Sequence, residues 1–378
     1  MRVLHLINNL HREGAQVVVF NLATADEGGN VRHVVCAREP GGDLQAALAA
    51  RGIPVYAPDR YHGLAQTRRS LDFLAGIIRD EAIDVVHAHM ADAAFLGWRL
   101  SRGHGLPLVI THHGHDLLPN CGRLCRLTYL VLLAAAAHGA GRNVAVAPPV
   151  AATLRRRLRL GKERISVIAN GVPVPADGLW NRPDRLQTRA PQVITVGRLV
   201  ELKGHEQLLA AAAVLVKEFP EAHFTLVGDG PLRGRLQQQV ETLGLGGQVT
   251  FAGSVADVPE RLRAADVYVS TSYYEGMPMA TLEAMAWGVP VVASNVPGNR
   301  DVVREGETGL LYTLGDVAGL AGRIRELLMQ PEQARARAGR ARDLVEADYS
   351  MAAVARAYAQ VYAELMQQNQ RRAGACRV

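Results

Sequence analysis

The chain is 378 residues long, 48% hydrophobic and 21% charged, with a formal net charge of +6. These values exclude a disordered or fibrous chain and are too much for one ordinary core, so two or three globular domains are expected. Four cysteines form no CxxC pair and no disulfide framework, and no apolar run reaches the ~20 residues that span a bilayer, so a cytoplasmic chain is expected.

Residues 1–7 (MRVLHLI) are too short for a signal-peptide core and read as a buried strand over 3–7. Further strands are expected at 31–37, 54–57, 84–89, 108–112, 143–147 and 165–168. Segments with helical apolar spacing lie between them, such as 15–25, 44–50, 71–78 and 91–100. Strict alternation of this kind implies a parallel sheet with helices on both faces, wound right-handed. The longest apolar run, 127–137, is interrupted by Thr128 and is too short to cross a membrane. Cys121 and Cys125 lie four apart on an expected helix, and read as two incidental thiols because two thiols leave a zinc ion short of four ligands.

The excess charge is confined to the first half. Residues 1–180 carry the whole +6, and within them 121–164 hold nine basic residues against Glu163 alone. A one-sided basic surface suits an anionic partner such as phospholipid or a phosphorylated acceptor. The same residues also read as a solvated helix face, and both readings stay open. No nucleic acid is expected as a partner.

From Asn170 to Ala190 the alternation stops, and this polar, Pro- and Arg-containing stretch reads as a linker. It then restarts, with strands expected at 193–196, 223–227, 249–251, 267–270 and 289–293. Helices are expected near 206–219, 232–243, 259–264 and 279–287, and a last amphipathic helix at 351–367 follows Ser350. The expected organisation is therefore a first Rossmann-like domain over 1–170 and a linker over 171–190. A second Rossmann-like domain over 191–348 and a C-terminal helix over 349–378 complete it. Two such domains facing a cleft put any ligand at the C-terminal ends of their strands.

The segment that carries most chemistry is 272–283, Ser-Tyr-Tyr-Glu-Gly-Met-Pro-Met-Ala-Thr-Leu-Glu. It follows a buried strand and opens a helix, so unpaired backbone N–H groups near Met277–Ala280 make an anion site. Glu275 before the helix and Glu283 within it can accept hydrogen bonds from sugar and ribose hydroxyls, while a phosphate lies against the amides between them. Two ordinary surface carboxylates would show the same spacing. A second segment, 195–204, ends a strand with Gly197-Arg198 and Lys203-Gly204, two cations able to clamp a diphosphate. The chain has 39 arginines and only three lysines, and one of the three is Lys203, a compact ammonium suited to a phosphate oxygen in a tight pocket.

Gly228-Asp229-Gly230-Pro231 makes a tight turn after another strand, with no side chain to block a ligand. Neither a G-x-x-x-x-G-K-[ST] loop nor a G-x-G-x-x-G after the first strand is present, which argues against an ATPase or a nicotinamide enzyme. In the first domain, residues 8–16 loop from strand to helix with Gly14-Ala15 open to a ligand. Two later strands end in His87-Ala88-His89 and in Thr111-His112-His113. Histidines alternating along a strand are expected to face opposite sides, so at most some share a site, and no metal cluster is expected. No Asp-x-Asp pair exists to cradle a divalent ion, so the charge of a leaving phosphate would fall to Arg198, Lys203 and the helix N-terminus.

In these residues, their order and their spacing, nearly the whole chain resembles the family-four retaining glycosyltransferases, which have the two-domain GT-B fold. The resemblance rests on Gly14-Ala15, His87-Ala88-His89, Thr111-His112-His113-Gly114, Asn170-Gly171-Val172, Gly197-Arg198, Lys203-Gly204, Gly228-Asp229-Gly230-Pro231, Glu275 and Glu283. It departs at Glu13-Gly14-Ala15, where many members have two glycines.

The resemblance implies a hexosyltransferase that takes a UDP- or GDP-sugar and needs neither cofactor nor metal. The acceptor would be a glycan or a lipid-linked sugar, as in cell-surface polysaccharide or lipopolysaccharide assembly, with the chain cytoplasmic or peripheral on the inner face of the plasma membrane. It implies that Arg198 and Lys203 hold the donor diphosphate and that Glu275 touches the transferred sugar. Glu283 would hold the ribose, the backbone of Gly276, Met277, Pro278 and Met279 would contact sugar and phosphate, and Gly14 would let the first-domain loop reach the diphosphate. Gly197 and Gly228 would flank the donor, and His113 would lie near the reacting centre. The last helix would cross back to the first domain. A nucleotide-sugar 2-epimerase shares the fold and the phosphate logic and is the alternative reading.

Overall fold

The computed structural model describes residues 1–11, 14–25, 31–58, 64–113, 123–176 and 190–375. The chain divides into two compact units, one of Met1–Gly171 with Met351–Val378 and one of Val172–Ser350. Each unit is a parallel sheet flanked by helices.

In the first unit, β1 (Arg2–Ile7), β2 (Arg32–Ala37), β3 (Val55–Tyr56), β4 (Val85–His89), β5 (Leu108–His112), β6 (Arg142–Ala145) and β7 (Ile165–Val167) form one sheet. Its order is β3-β2-β1-β4-β5-β6-β7, parallel throughout. The connecting helices are α1 (Gly14–Thr24), α2 (Asp43–Ala49), α3 (Leu64–Asp80), α4 (Met90–His104), α5 (Arg123–Gly139) and α6 (Pro148–Leu158). The central strands β4 and β5 are fully buried on both faces, which is why β5 reads as a near-continuous apolar run rather than an alternating one.

The second unit repeats the plan. Its strands β8 (Gln192–Val196), β9 (His223–Val227), β10 (Val249–Gly253), β11 (Val267–Ser270), β12 (Val291–Ser294) and β13 (Leu310–Tyr312) run in the order β10-β9-β8-β11-β12-β13. Its helices are α7 (His205–Leu215), α8 (Arg233–Thr242), α9 (Val258–Ala264), α10 (Met279–Ala286), α11 (Pro297–Val302), α12 (Val317–Met329) and α13 (Pro331–Leu344). Neighbouring residues of one strand enter opposite cores. Val267 and Val269 join the cluster with Leu208 and Ile324, whereas Tyr268 joins the one with Leu282 and Met285.

The last helix, α14 (Met351–Ala375), belongs to the first unit. Tyr358, Val361, Tyr362 and Leu365 pack on Val3, Val85, Val109 and Val144, one residue from each of β1, β4, β5 and β6. The expected linker is shorter at its start than its composition implies. Val172 is fully buried and, with Val174, packs into the second unit's core, while 177–189 lie outside the described residues. In both units the strand order reverses between the first strand and the fourth, β1/β4 and β8/β11, and crevices at such switch points take ligands.

Candidate active site

The second unit's switch point carries the densest polar constellation. β8 ends at Val196 and runs into a loop whose last turn, Glu201–Lys203, is a 3₁₀ helix. β11 ends at Ser270 and runs through Thr271, Ser272 and Glu275 to the start of α10. The two loops are tied together. Thr271 Oγ1 donates to the Lys203 carbonyl at 2.8 Å, and the Tyr273 amide donates to the Leu202 carbonyl at 2.9 Å.

Lys203 and Glu275, 72 positions apart, meet there. Lys203 Nζ lies 2.6 Å from Glu275 Oε1, and Ser272 Oγ donates to the same oxygen at 2.6 Å. The two side chains are 27% and 11% exposed, sheltered enough for a charge-assisted bond to count. Both line a pocket together with Thr195, Ser272 and the first residues of α10, Met279, Ala280 and Thr281.

The helix N-terminus differs from expectation in one respect. Pro278 has no N–H, and the Met279 amide donates to the Met277 carbonyl at 3.0 Å, so neither supplies a donor to the pocket. The amides of Ala280 and Thr281 are the first-turn groups that keep no backbone partner among the described residues. Of the expected stretch 277–280, Ala280 therefore keeps a free amide, and Thr281 extends it by one residue.

Arg198 occupies the same loop as Lys203 but is exposed and is not among the residues lining that pocket. Its carbonyl takes a 3.2 Å hydrogen bond from Nε2 of the buried His205, which fixes the proton on that nitrogen. Nδ1 of His205 is buried without a partner, and the ring lines the pocket. Burial lowers its pKa. His205, Thr271 and Ser272 are supporting residues that the sequence reading did not single out. The signal available was their adjacency to Lys203-Gly204 and Glu275.

Glu283 lies in α10, half-buried by surface area, yet its carboxyl is so far from water that burial raises its pKa to about 7. Gly276 has open space where a side chain would be, and Met277 packs against the core beneath it. Gly228 has a structural reason for lacking a side chain, whereas a Cβ at Gly197 would make only ordinary contact with the Lys203 stem. Gly228 adopts φ +130°, and a Cβ there would overlap the Gly197 carbonyl, so the two strand-end loops pass each other backbone to backbone. The Gly197 amide donates to the Val227 carbonyl at 2.9 Å as part of the same contact.

In the first unit, Gly14 is the first residue of α1 with open space around its Cα, and His113 follows the end of β5. The strand-end histidines are corrected by the structure. His87 and His89 are two residues apart, not one, so they share a face of β4, with ring centroids 3.9 Å apart. Both are fully buried beside His5 of β1. His5 Nδ1 is 3.0 Å from His89 Nε2, and His5 Nε2 is 2.8 Å from His33 Nδ1. His87 reaches the Tyr362 hydroxyl and Thr111 Oγ1, both at 2.7 Å, and so couples the sheet to α14.

His113 stands beside this group, 5.8 Å from the His89 ring. Nitrogens of His5, His87 and His89 lie within 4.8 Å of one another, close enough for one ion. Their ring nitrogens are, however, largely engaged with each other and with hydroxyls. Burial first, then neighbouring imidazoles, holds the pKa of each of the three well below the usual histidine value, so they pack as neutral rings. Gly114, His115, Asp116 and Cys121 lie outside the described residues, as does the Cys125 side chain.

Comparison with known proteins settles the family. The profile described as Glycosyltransferase Family 4 matches residues 2–174, and that described as Glycosyl transferases group 1 matches residues 180–344. The UDP-Gal:alpha-D-GlcNAc-diphosphoundecaprenol alpha-1,3-galactosyltransferase of Escherichia coli is 31% identical over 67% of this chain and 68% of its own length. The chain belongs to the family-four, group 1 glycosyltransferases. The D-inositol 3-phosphate glycosyltransferase of Rhodococcus jostii is 30% identical, over 90% of this glycosyltransferase and 78% of the relative. The crystal structure of Anabaena HepE in complex with UDP superimposes with a TM-score of 0.81 at 24% identity, covering 96% of this chain and all of that one, and shows that the fold is GT-B.

Proposed function

We propose that this glycosyltransferase moves a hexose from a nucleoside-diphosphate sugar to a glycan or lipid-linked acceptor, with retention at the anomeric carbon and with no divalent ion on the phosphates. The observation that carries the reading is the pocket where the Lys203 ammonium, the Glu275 carboxylate and the first-turn amides of α10 converge. Without a ligand, Lys203 and Glu275 satisfy each other. A diphosphate oxygen takes over the ammonium, and a hydroxyl of the transferred sugar takes over the carboxylate, so the empty site holds both groups in place without an unpaired charge.

In this reading the amides of Ala280 and Thr281 and the cations Lys203 and Arg198 stabilise the charge that grows on the leaving phosphate. The bond from the anomeric carbon to that phosphate breaks as the acceptor oxygen bonds to the same face. The acceptor's proton passes to the departing phosphate oxygen, which serves as the base. Glu283, titrating near neutrality, both donates to and accepts from ribose hydroxyls.

The relatives support the substrate class. HepE has been crystallised with UDP, and the Escherichia coli relative carries a diphosphoundecaprenol-linked acceptor in its name. The names of these relatives, among them a lipopolysaccharide core biosynthesis glycosyltransferase of Rhizobium meliloti, support a role in surface polysaccharide or lipopolysaccharide assembly.

Product analysis tests the reading. Incubation with UDP- and GDP-sugars in EDTA, with and without lipid-linked acceptors, is expected to release nucleoside diphosphate and form an α-linked product from an α-linked donor. Inverted product would refute retention. Acceptor-independent release of a C2-epimerised sugar would instead identify a 2-epimerase.

A further inference from the structure

The longest apolar run of the chain, 127–137, lies in α5 and puts apolar side chains on its exposed side as well as its buried one, with Thr128 exposed among them. From Leu127 to Ala137, α5 contains no charged residue. One face, with Leu133, Ala136 and Ala137, is buried in the unit. The other exposes Leu127 at 60%, Val131 at 59% and Leu132 at 40%. Leu127 and Val131 are one turn apart and Leu132 adjoins them, so they make a stripe along the solvent side. A surface helix ordinarily turns charged or polar residues outward.

A cationic cluster stands at the C-terminal end of α5, where α6 also ends. His138 in the last turn of α5 bonds the Leu158 carbonyl at the end of α6, at 2.9 Å, and Arg164 Nη1 donates to the His138 carbonyl at 2.7 Å. These bonds fasten the basic end of α6 to the end of α5. Arg155, Arg156, Arg157, Arg159 and Lys162 are exposed there, with no ion pair among the described residues. Arginines in the last turn of α6 complement its dipole. That accounts for one or two of them and for none of the stripe.

We infer that the α5–α6 surface docks this glycosyltransferase on an anionic lipid bilayer, with α5 lying in the interface. An 11-residue apolar run is about 16 Å long, half the hydrocarbon thickness, so the helix lies along the membrane rather than through it. Leu127, Val131 and Leu132 enter the acyl boundary, and the arginines meet headgroup phosphates. The proposal deepens the lipid-linked-acceptor reading and rests on it for its purpose, since such an acceptor is presented at a membrane surface.

Cosedimentation of the full chain with vesicles tests it, using equal parts phosphatidylglycerol and phosphatidylcholine against phosphatidylcholine alone. Binding is expected only to the anionic vesicles and should weaken as salt rises. The triple variant Arg155→Gln, Arg156→Gln, Arg157→Gln should bind roughly a hundredfold more weakly, at about fivefold per cation. Leu127→Asp with Val131→Asp should lose at least about tenfold even at low salt.

Thermal stabilisation by nucleoside diphosphates serves as the control for a folded donor site and should be unchanged in both variants. If folded, diphosphate-binding protein ignores anionic vesicles at low salt, or if both variants bind like the parent, the docking surface is refuted while the transferase reading stands. Vesicle binding by a protein inactive on every donor would leave the docking surface and remove the transferase reading. If the Leu127→Asp, Val131→Asp variant instead converts a dimer to monomers, a second copy covers the stripe and the proposal falls.

Discussion

Replacing Lys203 by alanine removes one partner of a pair whose ligand-free and ligand-bound roles differ, and its effects separate accordingly. In the free protein the change leaves the Glu275 carboxylate, 11% exposed, with the Ser272 hydroxyl as its remaining donor at this oxygen. A sheltered carboxylate deprived of its cation costs about 2 kcal/mol, which lowers the melting temperature of a unit this size by roughly 4–8 °C. In the proposed reaction, the variant loses a donor to the leaving phosphate, and such losses reduce turnover by about 10² to 10³. Adding Glu275→Gln to Lys203→Ala removes the unpaired charge, so stability should recover most of the 2 kcal/mol while turnover stays at or below that of the single variant. Thermal unfolding and a continuous assay of nucleoside diphosphate release at saturating donor measure the two quantities. A Lys203→Ala enzyme within threefold of the parent's kcat/KM would refute the assignment, whatever its stability.

Three further expectations follow from other parts of the molecule. Burial holds the Glu283 carboxyl at about 7, so the native state keeps a proton that the unfolded chain loses above about 4.5, and stability falls as pH rises through 7. Glu283→Gln lacks this loss and should gain up to about 3 kcal/mol relative to the parent between pH 4.5 and 8, measured by urea unfolding, with a pH-independent difference counting against it. The neutral histidines act in the opposite direction. Burial lowers His5, His87 and His89 and brings His33 to about 4, so the unfolded chain gains protons below pH 6.5 that the native state refuses. Stability should fall as pH drops from 6.5 towards 4, with His33→Gln flattening the slope by up to about 1.4 kcal/mol per unit, and an unchanged slope would contradict the network. Finally, Gly298 at the start of α11 lies against the Glu275 backbone, which a Cβ would overlap. Gly298→Ala should therefore cut turnover at least about tenfold while His113 and the first unit are untouched, and normal turnover would show that the Glu275 position is not critical.

The sequence made the strands of both sheets readable wherever burial on both faces left an unbroken β-branched run, as in the VIT of β5 and the VITV of β8. It left β13 unseen because three residues, Leu310–Tyr312, are too few to show a period. It left α13 unseen because PEQARARAGRARDL buries mainly alanines, whose small side chains mark no apolar stripe. At the site, residue type and loop position picked out Lys203 and Glu275. The bonds that hold them, from Thr271 to the Lys203 backbone and from Ser272 to Glu275, join loops 68 positions apart or hinge on one rotamer. The histidines show the reverse case. His5 and His33 are single histidines in apolar strands and look like ordinary core. They meet His87 and His89 only because the chain places β1 between β2 and β4, an adjacency that strand order decides.

The central claim is that Lys203 and the tip of α10 hold a pyrophosphate without a divalent ion, and titration calorimetry reads it directly. UDP, GDP and ADP are titrated into the parent, Arg198→Ala and Lys203→Ala proteins, each in EDTA and in magnesium. At least one nucleoside diphosphate should bind the parent equally well under both conditions and should bind Lys203→Ala at least about thirtyfold more weakly. Binding that requires magnesium, or that is indifferent to the loss of Lys203, would contradict the account.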